Sequence, residues 1–77
     1  MNNKRRDKLK KALALLDTVC EMVEDVYDRE QDCVDNYPEN LQFSERYERM
    51  EEIVDELNDA LGKLEEVKSC IESVTQR

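Results

Sequence analysis

No histidine occurs in the 77 residues of this chain, which holds one glycine, one proline and no tryptophan. Without histidine, the commonest general base, the usual base of a catalytic triad and the commonest metal ligand are all missing. A di-iron bundle built on Glu-x-x-His pairs is excluded on the same ground. Gly62 alone makes no glycine-rich loop to cradle a phosphate. The reading is of no enzyme, with no cofactor and no metal. No apolar run is long enough for a signal peptide or a membrane span, since Ala12–Leu16 after the basic start is far too short. Three cysteines without other secretory features argue for a reducing compartment, so the expected location is cytoplasmic.

Two further absences come from spacing. Cys20 and Cys33 fall on one predicted helix about 20 Å apart along its axis, outside disulfide reach. Cys70 is expected opposite Lys10, away from both, and each cysteine reads as a small apolar residue. Asp28, Glu30, Asp32 and Glu39 fall at positions 1, 3, 5 and 12 of an EF-hand loop. Cys33 stands where that loop's turn needs glycine, and Pro38 precedes its last ligand, so calcium binding is not expected.

What the chain has is charge and helical period. Charged residues make up 42% of it, and with so little glycine and proline the composition is that of long helices. Met50, Ile53, Leu57, Ala60, Leu64, Val67, Ile71 and Val74 recur at spacings of 3 and 4 without a break, the a/d pattern of a coiled-coil seam. Val54 and Leu61 widen it on one side. Leu9, Ala12, Leu16, Val19, Val23, Val26 and Cys33 repeat the spacing, with Glu30 the one polar interruption and Leu13, Cys20, Tyr27 and Val34 on the flank. Between them Asp35-Asn36-Tyr37-Pro38-Glu39-Asn40 breaks the helix, because proline keeps Tyr37 out of helical geometry. Ser44 is the expected N-cap of the second helix, with Glu45 and Glu48 in its first turn.

The expected fold is all-α: one domain over 1–77, with helix 1 at about 5–36, a turn at 37–43 and helix 2 at about 45–75. Antiparallel pairing about Pro38 sets Leu9 near Ile71, Leu16 near Leu64 and Val23 near Leu57. Glu30 then lies within reach of Arg46 or Arg49. Tyr37, Leu41, Phe43 and Tyr47 are expected to form an apolar plug at the turn. The core and dimer seam is assigned to Leu9, Leu16, Val23, Met50, Ile53, Leu57, Leu61, Leu64 and Ile71. Chains this short rarely draw more than ~3–5 kcal/mol from one core. A hairpin also leaves part of each stripe uncovered, so a homodimer closing a four-helix bundle is the expected remedy.

Net charge is −8, unevenly spread. Residues 1–11 carry Lys4, Arg5, Arg6, Lys8, Lys10 and Lys11 against Asp7 alone, a balance of +5, which leaves −13 on the remainder. From Asp17 to Asp59 there are 16 acidic and 3 basic residues. Carboxylates rowed along a rigid rod imitate a phosphate backbone and attract a Lys/Arg groove. The candidate partner-binding face is Asp25, Asp28, Glu48, Glu51, Glu52, Asp55, Glu56 and Asp59; an ordinary solvated face accounts for the same residues. The basic start offers a contact to nucleic acid or an acidic partner. It equally reads as a solvated helix end, and no aromatic residue interleaves with it.

The run Pro38-Glu39-Asn40-Leu41-Gln42-Phe43-Ser44-Glu45-Arg46, followed by Glu48-x-Met50-Glu51-Glu52, resembles the turn of a group of short acidic helical-hairpin proteins of Gram-positive bacteria and their phages. The resemblance covers most of the chain, and the P-E-N-L-Q-x-S-E-R turn is its specific part. Tyr47 stands where that group commonly has a small residue. It implies a helical hairpin in a mobile-element setting, within a bacterial or phage-infected cell, and no site residues. The functional expectation is a small interaction or regulatory protein that acts by binding a protein partner. One alternative is a nucleic-acid mimic that inhibits a host nuclease, polymerase or defence effector. Another is a nucleic-acid binder using the basic start.

Overall fold

The structure, a computed structural model, describes residues 1–77. It is all-helical, with no strand: α1 spans Asn3–Asp35, a single 3-10 turn spans Glu39–Leu41, and α2 spans Glu45–Thr75. The two helices fold back on each other as a rod with Cα extents of 60 × 15 × 13 Å. Its radius of gyration is 17.6 Å, where a compact domain of this length would have about 11–12 Å. A rod of this kind has one layer of contact, and only Cys20, Val34 and Val54 are buried.

The element ends follow from local hydrogen bonding. α1 starts about two residues earlier than expected because the Asn2 side chain accepts from the Arg5 N–H at 2.9 Å, satisfying one of the free amides at a helix start. It stops at Asp35, where the Asn36 side-chain amide donates to the Asp32 carbonyl at 2.8 Å and Tyr37 takes up the pre-proline geometry. The Ser44 hydroxyl accepts from the Tyr47 N–H at 3.2 Å, as expected of that cap. Glu45 and Glu48 lie in the first turn of α2, where the dipole favours them. The antiparallel arrangement also sets the basic start of α1 beside the C-terminal, negative end of α2. The Arg6 guanidinium donates there to the Arg77 carbonyl.

The seam is not phased as the sequence reading had it. Let position a be Leu9, Leu16, Val23 and Glu30 on α1 and Met50, Leu57, Leu64 and Ile71 on α2, all half-buried. The second row of the seam is position e: Leu13, Cys20, Tyr27 and Val34 on α1, and Val54, Leu61, Lys68 and Thr75 on α2, all buried or half-buried. Position d holds Val19, Val26, Cys33, Ile53 and Val67, which are exposed, and Ala12, Ala60 and Val74, which are half-buried. Ile53 therefore leaves the predicted seam and Val54 replaces it; the other eight predicted residues stay. On α1 the e row carries Leu13 and Tyr27 where the d row carries Ala12 and Val26, and free energy scales with apolar area removed from water.

Register shifts with the phase. Arg6 meets Arg77, Lys68 meets Asp17 at 2.7 Å, and the Tyr37 and Tyr47 rings lie 5.4 Å apart. These pairings centre on a register about one helical turn from the expected one, with Leu13 across from Ile71 and Cys20 across from Leu64. Glu30 stays half-buried without an ion pair, since Arg49 turns to Glu45 at 3.9 Å. The apolar plug forms only in part. Tyr37 and Tyr47 pack with their rings tilted at 47°, whereas Leu41 is exposed and Phe43 is 95% exposed.

Candidate functional site

The phase of the seam gives the rod two unlike sides. Because α1 and α2 run in opposite directions, position d falls on the same side of the pair in both helices, with g beyond it, and position b falls on the other. The d/g side collects Ala12, Leu15, Val19, Met22, Val26 and Cys33 from α1. From α2 it takes Ile53, Ala60, Val67, Cys70 and Val74. Leu15 at 69% and Met22 at 65% are the most exposed of its large side chains. The stripe runs over 12–33 of α1 and 53–74 of α2, at the 3–4 spacing that pairs helices with helices.

The b side is polar and is tied across the seam. Lys68 reaches from position e of α2 to Asp17 at 2.7 Å and to Glu65 at 3.6 Å, with 19% of its side chain exposed. Its pKa is raised above the ordinary lysine value of 10.5, first by the hydrogen bond to Asp17 and then by the charges of Asp17, Glu65 and Cys20 against partial desolvation. The lysine stem fills the seam while its ammonium stays at the wet edge.

The charges are sorted by position. Of the 20 acidic residues only Glu56 stands at d or g; the others stand at a, b, c, f or in the turn. Six basic residues, Arg5, Lys8, Arg29, Arg46, Arg49 and Lys63, stand at d or g themselves, with Arg29 also paired to Asp25 at 3.6 Å. Every residue of the candidate acidic face is exposed, yet they do not form one face. Asp25 and Asp28 lie on the outer edge of α1, while Glu48, Glu52, Asp55 and Asp59 lie on that of α2, the opposite edge of the rod. Glu51 faces the polar side and Glu56 the apolar one.

α1 continues unbroken through Asp28, Glu30 and Asp32, so the EF-hand-like acids splay around a helix, and no three potential ligands converge. Cys20, Cys33 and Cys70 are free thiols, and the surface has no cavity. No helix is long and apolar enough to cross a membrane. The sequence reading missed the d/g side as a surface distinct from the seam. Its signal was present, in Leu15 and Met22, apolar residues outside the a/d/e pattern. No protein-family model, curated protein or solved structure matches this chain.

Proposed function

We propose that this chain is a small interaction protein that works by burying its apolar side against another helical protein, and that it first does so with a second copy, as a homodimeric four-helix bundle. The observation that carries this is the apolar d row on one side of the rod, flanked at g by Leu15 and Met22, with Leu15, Val19, Met22, Val26, Ile53 and Val67 all exposed. An exposed apolar band of this length marks an interaction surface. The chain would act by surface complementarity, as a regulatory or adaptor component; its turn's resemblance adds a phage or mobile-element setting to the proposal. A nucleic-acid decoy is the weaker reading, because its acids occupy opposite edges and would need a target that wraps both.

The test is sedimentation of the wild-type chain beside a Val19→Asp, Val67→Asp double variant. The reading expects twice the chain mass for the wild type and a single, still helical chain for the variant. A wild type that sediments as one chain at 100 μM would refute the dimer.

A further inference from the structure

The two helices disagree about which row should complete the seam. On α1 the e row is the bulkier, with Leu13, Cys20, Tyr27 and Val34 against Ala12, Val19, Val26 and Cys33 at d. On α2 the d row is the more apolar, since Ile53, Ala60, Val67 and Val74 are matched at e by Val54, Leu61, Lys68 and Thr75. Position e nevertheless faces inward on both helices, and on α2 it brings in a lysine side chain that is only 19% exposed. Two contacts belong to this phase alone. Lys68 meets Asp17 at 2.7 Å, and Tyr47, also at e, meets Tyr37 with ring centroids 5.4 Å apart. The alternative seam keeps the same heights to within one residue. In the register described above, Leu16 stands across from Lys68 and Val23 across from Leu61; with d inward they would stand across from Val67 and Ala60. Rows d and e flank a, so turning each helix by about 50° exchanges them. The helices turn in opposite senses viewed from one end, so facing side chains move together, and residues 36–44 between the helices take up the change.

We infer that the hairpin has two seams, a with e and a with d, and that the Asp17–Lys68 ion pair is the latch that holds it in the first. The pair is what lets a lysine stand in an otherwise apolar row, with Asp17 and Glu65 as partners for its ammonium at the wet edge. A charge held in a seam without its partner is costly. Loss of Asp17 therefore removes support from the e seam alone, because with d inward Lys68 and Asp17 both lie at the surface. The layer that weighs against the d seam is Ala60, which brings a methyl group to Val23 where Leu61 brings an isobutyl group. A change of seam exchanges the exposed surfaces. Latched, the hairpin presents Val19, Val26, Ile53 and Val67; unlatched, it covers them and presents Leu13, Tyr27 and Leu61. A partner that binds one row, or that draws Asp17 away from Lys68, shifts the balance by its preference for one form. On the reading proposed above, unlatching withdraws the docking side, but the latch itself does not rest on that reading.

The native cysteines read the seam. Cys20 at e is buried and Cys33 at d is exposed, and exchange of the rows exchanges them. Alkylation with iodoacetamide, followed site by site by mass spectrometry on dilute protein, is expected to spare Cys20 in the wild-type chain. Asp17→Lys combined with Ala60→Leu repels Lys68 and fills the weak layer of the d seam. In that variant Cys20 should react about tenfold faster than in the wild type and Cys33 should become the spared thiol, with the helical circular dichroism signal unchanged. Asp17→Asn with Ala60→Leu, which adds no charge, should give the same inversion. Lys68→Leu with Ala60→Leu completes the e row and should keep Cys20 spared. Cys20 spared in both Asp17 variants, both thiols reactive in both, or Cys20 freed in the Lys68→Leu variant would overturn the inference. Cys20 is covered within one chain, so a wild type that sediments at one chain mass would refute the dimer and leave this test standing.

Discussion

The seam between the helices and the apolar side that stands open are written in the same residue types at the same spacing, yet one is covered within the chain and the other is not. Val54, at 7% exposure, and Ile53, at 44%, are adjacent β-branched residues with opposite fates. What separates them is the row each belongs to. Val54 shares its row with Leu61 and, through Lys68, with an ion pair to Asp17. Ile53 shares its row with Ala60, Val67 and Val74. The row tied across the seam takes the intramolecular contact, and the other stands open. A widened stripe thus has one edge that folding covers and one that it leaves open, and the open edge is where the proposal puts association.

Breaking the comparison should give two distinct failures. The largest is at the seam: Leu64→Asp places a charge opposite Cys20, with a cost of at least about 3 kcal/mol. It should abolish the helical circular dichroism signal. On the open side Met22→Glu, like the Val19→Asp, Val67→Asp pair, should leave that signal within a few per cent and instead raise the dimer dissociation constant at least tenfold. Loss of helix in Met22→Glu would show that the two sides are not separable.

Smaller effects sharpen the picture within each side. Gly62→Ala should stabilise by about 1 kcal/mol, since its added methyl meets nothing; thermal melting reads this. Replacing Glu30, an unpaired carboxylate half-buried in the seam, by Leu should also raise the melting temperature, by an amount near about 1 kcal/mol. Lys68 gives the smallest and most pH-specific change. Its pKa is higher folded than unfolded, so its contribution is full below about pH 10.5, the unfolded value, and fades as pH rises through the raised folded value. Lys68→Met should flatten stability against pH in that alkaline window and leave the curve at pH 7–9 parallel to the wild type.

Much of this was legible in the sequence. The two helices, their lengths, the Ser44 cap and the break at Pro38 follow from period, capping and proline sterics, which are local. Seven of the nine assigned seam residues stand at position a, which is common to either phase and half-buried; Leu61, at e, is half-buried too. What local pattern could not fix was the choice between d and e as the second row. That choice compares areas across two helices at once, and the register follows from it. Phe43 was misread for a similar reason. Its place in an apolar cluster around Tyr37 and Tyr47 looked natural by proximity, but the turn of Glu39–Leu41 aims it outward. For the acidic residues, their number was plain; their division between opposite edges depended on the fold.

The most direct test of the central claim, that the open side is an interface and the seam is not, is sedimentation equilibrium of the wild-type chain from 1 to 100 μM beside Val19→Asp, Val67→Asp. The account predicts twice the chain mass for the wild type across the upper part of that range, and one chain mass for the variant with its helical signal unchanged. A wild type that stays at one chain mass throughout, or a variant that stays at two, would contradict it.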